Sequence, residues 1–290
     1  MDKPYTRQEL LVIAVARQIK DGDNALLGIG LPTIAGAVAK HNHAPRARLM
    51  MESGIADFDP VVPPMHIADA CCTEGYSYAI DLFGMFTSIT FAGYLDKAVL
   101  GVGQIDKYGN LNSSYMVSPD GKPERITGAG GAPEFISYAK ETILTLKSGE
   151  FVEKLDYFTS PGYLGGGNER DESGIYPKGS GPSILITPRA MFKFDSKTKE
   201  MYLSALAPGV SLDKIKSKIP WELKVAQELE RFPVPTQEEL AFLRKFSPRS
   251  CFSTRVSNEL LMNTAIEAFS QRAAFLEQTR KHGVIQNAAS

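Results

Sequence analysis

The 290-residue chain sets 32 lysines and arginines against 33 acids, with 43% hydrophobic and 22% charged residues. So even a balance excludes a nucleic-acid or membrane-surface role driven by bulk charge, and the hydrophobic fraction suits a globular protein with a sizeable core. The three cysteines, two of them adjacent at Cys71 and Cys72, give neither a disulfide framework nor a zinc-ligand spacing, so a reduced compartment and no metal are expected.

Met1 to Arg7 has no apolar signal core, and no later run approaches the length of a membrane span, which makes a soluble, cytoplasmic protein the expectation. Thr6 and Glu9 form a capping box, and Leu10, Leu11, Ile13, Ala14, Val15 and Ile19 continue it as an amphipathic helix that Asp21-Gly22-Asp23 stops. Ala25 to Ile29 follows as a buried strand. Gly30-Leu31-Pro32-Thr33 then opens a second helix through Ala39, with Pro32 in its first turn. Gly28-Ile29-Gly30 lacks the third glycine of a dinucleotide fingerprint, so it is a strand-to-helix turn whose amides face a ligand or a partner chain. His41-Asn42-His43 is the solvated end of that helix, since two histidines two residues apart on a helix do not face one ion.

Leu49 to Met51 is a short buried strand that ends in Glu52-Ser53-Gly54. In an open α/β sheet this strand end is the edge where ligands bind, and Glu52 there is a candidate nucleophile, although most glutamates after strands are solvated or paired. The proline-rich stretch from Asp57 to Pro64 is a loop in which Asp57 and Asp59 serve as exposed caps. Cys71 and Cys72 pack as small apolar residues. Ser88 to Ala92 and Lys97 to Val102 have the β-branched and aromatic content of strands.

Gly109-Asn110 marks a turn ringed by Gln104, Asp106, Asn110 and Asn112, a polar cluster that needs specific hydrogen-bond partners. Thr127-Gly128-Ala129-Gly130-Gly131-Ala132-Pro133 either cradles an oxyanion or phosphate at a helix N-terminus or is a flexible linker. Further strands are expected at 142–146, 155–159 and 183–187. The glycine-rich segment from Gly162 to Gly181 is a lid or an inter-subunit contact. Met191 to Asp195 and Lys199 to Leu203 make a hairpin, and Ser211 begins a helix with Leu212, Ile215 and Ile219 inward.

The resulting fold class is α/β: an open, mostly parallel sheet with helices on both faces, a β-hairpin and a C-terminal helical extension. One domain is expected over residues 1–252, with the helical extension at 253–290.

Several of these motifs in this order resemble the B subunit of class I CoA-transferases, and most of all that of glutaconate CoA-transferases. They are Gly28-x-Gly30-Leu31-Pro32, Glu52-Ser53-Gly54, Gln104-Ile105-Asp106-x-Tyr108-Gly109-Asn110-Leu111-Asn112, Thr127 to Ala132, Asp156 to Gly162, and Phe192-Lys193-Phe194-Asp195. The resemblance runs from about residue 6 to about residue 250. It implies a NagB-like fold and a ping-pong transfer through a glutamyl-CoA thioester on Glu52, with acyl-CoA as substrate and no permanently bound cofactor. It also implies amides of Gly130, Gly131 and Ala132 as oxyanion or CoA contacts, and support from Ser53, Gly54, Gln104, Asn110 and Gly30. The partner it implies is a CoA-transferase A-type subunit, in a heterotetramer or heterooctamer. Some relatives have lost the glutamate and act as hydrolases or decarboxylases, whereas this chain keeps Glu52.

Overall fold

A computed structural model describes residues 5–118 and 120–247, together with Ile266, Ser270, Ala273, Ala274 and Glu277. The expected helical extension at 253–290 lies outside the described residues except for those five positions.

The first half is a run of parallel strands joined by helices. Helix α1 (Arg7–Ala16) starts as expected, with the Thr6 hydroxyl accepting from the Glu9 N–H and Glu9 accepting from the Thr6 N–H. Strand β1 (Asn24–Leu27), helix α2 (Leu31–Asn42) and strand β2 (Arg48–Met50) follow, all with buried apolar faces. Short antiparallel strands β3 (Ile55–Ala56) and β4 (Tyr78–Ala79) extend that edge. Asp57, between them, is not an exposed cap. Its φ is 59°, and it pairs with Lys40 at 2.7 Å and accepts from Ser77. The end of α2 is exposed as expected, with His41 stacked on Phe242 at 4.1 Å and the His43 Nε2 3.0 Å from the Ile19 carbonyl.

The expected strand at 88–92 is helical instead. Asp81 caps helix α3 (Leu82–Gly84) by accepting from the Gly84 N–H, and the chain continues as a wide helical turn over Met85–Thr90. Tertiary contact overrides the β-branched content, because a helical backbone places Phe86 on Phe135 at 5.2 Å and Phe91 on Tyr138 at 4.7 Å.

Strand β5 (Lys97–Gly101) leads into a polar excursion made of β6 (Gln104–Ile105), β7 (Leu111–Asn112) and the hairpin β8 (Tyr115–Val117) with β9 (Pro123–Arg125). Helix α4 (Ala132–Tyr138), strand β10 (Glu141–Thr145) and strand β11 (Glu150–Phe151) follow. The expected strand at 155–159 is irregular. Its one ladder contact is the bridge between Ser160 and Leu111, and Asp156 is held by side chains instead.

The glycine-rich segment carries a one-turn helix α5 (Glu169–Glu172) that is pinned down by Arg170. That guanidinium is buried and donates five hydrogen bonds, to the carbonyls of Pro161, Gly162 and Ile136 and twice to the Ser180 hydroxyl. Strand β12 (Pro182–Ile186) and the antiparallel hairpin β13 (Ala190–Phe194) with β14 (Met201–Leu206) appear where expected. Helix α6 (Leu212–Lys216), the exposed strand β15 (Lys224–Arg231) and helix α7 (Gln237–Phe246) end the described body.

The main sheet has ten strands in the order β15-β14-β13-β12-β10-β5-β1-β2-β3-β4, parallel from β12 through β2. Strand β1 has β2 on one side and β5 on the other, so the chain changes winding direction at β1. Beyond the carboxyl ends of the strands at such a point lies a natural crevice.

Candidate active site

A cavity of about 660 Å³ occupies that crevice. Its walls come from the ends of β1 (Leu26 to Ile29), β5 (Leu100 to Gly103) and β10 (Thr145 and Lys147 to Gly149), from Glu52 beyond β2, and from the glycine-rich Thr127 to Ala132. A volume of this size accommodates a small organic substrate.

Glu52 is placed by its own flanks. The Met51 N–H donates to the Ile55 carbonyl and the Gly54 N–H to the Met51 carbonyl, closing a tight turn directly after β2. Gly54 is required there, because its φ is 103° and a Cβ would lie 1.9 Å from the Ile80 carbonyl oxygen. Ser53 donates to the Ile67 carbonyl at 2.5 Å, which ties Ile67 into the cavity wall.

The Gly131 N–H donates to the Glu52 Oε2 at 3.0 Å. This contact spans 79 positions of sequence and joins the strand-end carboxylate to the N-terminus of α4. Gly131 approaches so closely because it has no side chain: a Cβ would lie 2.5 and 2.7 Å from ring atoms of Phe135 and 2.7 Å from one of Phe86. Gly130, at φ 51°, opens onto the carboxylate, and a Cβ there would meet only the two Glu52 oxygens, each at 3.6 Å.

The other expected site residues divide. The Ala132 amide is not free for an oxyanion, since it donates to the Ala129 carbonyl at 3.1 Å in the turn that begins α4, although the residue does line the cavity. Gly30 caps α2 at φ 88° between the lining residues Ile29 and Leu31, shaping the wall without forming it.

Gln104 and Asn110 are buried outside the cavity wall. Gln104 donates to Asp156 and accepts from Asn112, while Asn110 donates to Asp106 and Leu164 and accepts from the N–H groups of Gly162 and Leu164. Both therefore act as fasteners for the 104–112 and 156–164 segments. Asp106, within that knot, is pushed above its ordinary pKa by burial, which its hydrogen bonds with Asn110 and Tyr108 only partly offset.

Cys71 and Cys72 are buried and free, and neither lines the cavity. The hydrogen bond with Cys72, together with burial, pushes the Cys71 thiol far up, against any thiolate there. Among the described residues, no cluster of three or more histidine, cysteine or acidic side chains is arranged to hold a metal, and no helix is long and apolar enough to cross a membrane.

Sequence reasoning missed three residues of the site: Phe86, which fixes the Gly131 approach, and Ser113 and Lys147, which line the cavity. Lys147 was signalled by its place two residues past the end of an apolar strand.

A family profile described as coenzyme A transferase matches residues 9–218. The B subunit of 3-oxoadipate CoA-transferase from Pseudomonas knackmussii is 32% identical over 85% of this chain and 95% of its own. The B subunit of glutaconate CoA-transferase from Acidaminococcus fermentans is 33% identical over 78% of this chain and 86% of its own. The solved structure of glutaconate CoA-transferase from Acidaminococcus fermentans superposes with a TM-score of 0.75 at 32% identity, over 84% of this chain and 95% of that one.

Proposed function

The chain belongs to the coenzyme A transferase family, and from that premise we propose that it is the nucleophile-bearing half of a two-subunit enzyme moving CoA between an acyl-CoA and a free carboxylic acid. The observation that carries this reading is the Glu52 carboxylate held 3.0 Å from the Gly131 N–H at the sheet crevice.

The geometry suits covalent catalysis in two steps. Glu52 Oε1 attacks the thioester carbonyl of acyl-CoA, the carbon–sulfur bond breaks, and the products are a glutamyl–acyl anhydride and CoA thiolate. Oε2, still facing the Gly131 N–H, is then the carbonyl oxygen of the anhydride. The thiolate attacks the Glu52 Cδ and places negative charge on Oε2, where the amide is already aimed; collapse releases the acid with Oε1 and leaves CoA as a thioester on Glu52. A second carboxylate reverses the sequence. One such donor is worth about 3 kcal/mol where removed from other enzymes. Leu26, Leu100, Val102 and Phe135 give the wall an apolar stretch, and in this reading the partner chain closes the cavity so that water is kept from the anhydride.

An A-type partner chain is part of this reading. The relatives above are named as B subunits, and this chain exposes large apolar side chains, with Leu82 at 53%, Phe83 at 73% and Tyr94 at 60%. The domain boundary near residue 252 and a cytoplasmic setting belong to the same proposal.

Glu52→Gln tests it. With the partner present, acyl-CoA and no acceptor acid should add the mass of CoA to the peptide containing Glu52, and hydroxylamine should trap it as a hydroxamate. Glu52→Gln should lose both signals and slow transfer by several orders of magnitude while the fold persists. Glu52→Asp, shorter by one methylene, should lose about a hundredfold. Near-normal transfer by the Gln variant, with deamidation ruled out by mass, would leave Glu52 structural.

A further inference from the structure

Two motifs, Gln104 to Asn112 and Asp156 to Gly162, contribute no residue to the cavity wall, yet they meet directly behind it. Asn112 is fully buried, and its side chain closes the turn that follows β7. Its Oδ1 accepts from the N–H groups of Ser114 and Tyr115, while its Nδ2 donates to the Tyr115 carbonyl at 2.6 Å and to the Gln104 Oε1 at 2.8 Å. The remaining N–H of the turn, that of Ser113, donates to the Thr159 hydroxyl at 3.0 Å. That hydroxyl donates in turn to the Ser114 Oγ at 3.0 Å, and the Thr159 N–H is bonded to the Leu111 carbonyl.

The carbonyls of the same turn hold the glycine-rich loop. The Ser114 carbonyl accepts from the Ile126 N–H at 2.9 Å, and the Ser113 carbonyl from the Gly128 N–H at 2.7 Å. Three positions further on, the Gly131 N–H meets the Glu52 Oε2 at 3.0 Å. The link from Gly128 to Gly131 has little stiffness of its own, since all but Ala129 are glycine, with Gly128 at φ 102° and Gly130 at φ 51°. Its shape is therefore set at its two ends. At the α4 end the Phe86 and Phe135 rings close on Gly131, whose carbonyl accepts from the Phe135 N–H at 3.0 Å. At the other end the anchor is the Ser113 backbone, held by Thr159 on one side and holding Gly128 on the other.

Within the CoA-transfer reading above, on which this rests, we infer that Thr159 is a positioning residue. Through the Ser113 backbone its hydroxyl fixes one end of the glycine-rich loop, and with it the place of the Gly131 N–H against Oε2. Thr159 lies outside the cavity wall and acts only through that chain of contacts. Without the hydroxyl the Ser113 N–H loses its acceptor, and Gly128 shifts with the turn that carries it. A displaced Gly131 N–H costs most where negative charge builds on Oε2, so the loss falls on kcat rather than on binding.

The test uses the assembled two-subunit enzyme and compares Thr159→Val, which keeps the side-chain shape without the hydroxyl, with Thr159→Ser, which keeps the hydroxyl. Single-turnover formation of the CoA thioester on Glu52 at saturating acyl-CoA should fall about tenfold to a hundredfold in Thr159→Val, with KM within threefold. Thr159→Ser should stay within threefold of wild type. Hydrogen exchange read by mass spectrometry should quicken in the peptide spanning 126–131 of Thr159→Val and not in that of Thr159→Ser. Arg17→Met, which weakens the scaffold away from the cavity, is the stability control and should leave thioester formation within threefold. Should Thr159→Val not assemble, Thr159→Ala takes its place. Thioester formation within threefold of wild type, a loss confined to KM, unchanged exchange at 126–131, no rescue by Thr159→Ser, or an equal loss in Arg17→Met would each overturn the positioning role. So would failure of both Thr159→Val and Thr159→Ala to assemble, since the hydroxyl then serves folding. A wild-type assembly that places no CoA on Glu52 overturns the CoA-transfer reading and this role with it.

Discussion

Gly131→Ala isolates the contact on which the proposed chemistry turns. The residue has φ −84°, which alanine adopts without strain, so the effect comes from the new methyl alone. That methyl would lie 2.5 and 2.7 Å from Phe135 ring carbons and 2.7 Å from a Phe86 carbon, where carbon contacts normally settle near 3.5–4.0 Å. Either the two rings part or the backbone retreats by about 1 Å, and overpacking of this kind costs about 1–3 kcal/mol. A retreat of that size stretches the 3.0 Å bond from the Gly131 N–H to Oε2 beyond hydrogen-bonding range. Loss of one oxyanion donor predicts a fall in kcat of about 10²–10³. The assay is single-turnover formation of the glutamyl thioester, followed by mass, alongside thermal melting. Phe86→Ala in the Gly131→Ala background opens space for the methyl and should recover part of both losses. Thioester formation by Gly131→Ala within threefold of wild type, at unchanged Tm, would show that this amide does not stabilise the reacting oxygen.

Two further predictions concern the scaffold. Glu239 is buried, which pushes its carboxyl up, but hydrogen bonds from Arg17 and the Thr236 N–H outweigh burial and hold its pKa below the ordinary 4.5. A depressed folded-state pKa gives stability that is present above 4.5 and lost as pH falls through the depressed value. Arg17→Met should therefore cost about 2 kcal/mol at pH 7 by urea denaturation, and the gap from wild type should narrow below pH 4.5; a gap independent of pH would remove the ion pair as its cause. Arg170→Met strips donors from four buried acceptors and should cost about 3 kcal/mol, with Arg170→Lys failing to restore them because an ammonium lacks the planar fork. Full stability of Arg170→Lys would refute the fork argument.

What the sequence discloses follows the range of the forces involved. Strands β1, β5, β10 and β12 are short apolar runs bounded by polar residues or glycine, and burial on both faces of a parallel sheet demands that pattern. Strand β15 escapes the same reading because it is a mostly exposed edge, Lys224-Val-Ala-Gln-Glu-Leu-Glu-Arg231, held by backbone pairing to β14. Helix α7 carries a local signal as clear as that of α1, since Thr236 and Glu239 repeat the capping box of Thr6 and Glu9. At 88–92 and 155–159, β-branched and aromatic residues mislead. The first segment is bent by ring contacts with α4, and the second is tied by the Gln104–Asp156 bond across 52 positions, and neither force leaves a local trace.

The site divides along the same line. Glu52 is a weak signal by itself, a carboxylate at the end of an apolar strand, and it gains weight from the other motifs that accompany Glu52-Ser53-Gly54; Gly54 is visible because the turn requires its φ. Which amide faces the carboxylate is not visible. Gly130, Gly131 and Ala132 are equivalent in a sequence, and only packing separates them: Ala132 turns its N–H to Ala129 to begin the helix, while Gly131, wedged between Phe86 and Phe135, presents its own to Oε2. The Glu52–Gly131 geometry on which the proposed chemistry rests thus depends on an aromatic clamp assembled from two helical segments distant in sequence. In the proposed mechanism the nucleophile is set by local sequence, whereas the amide that faces it is positioned by the packing of the 81–91 segment against α4.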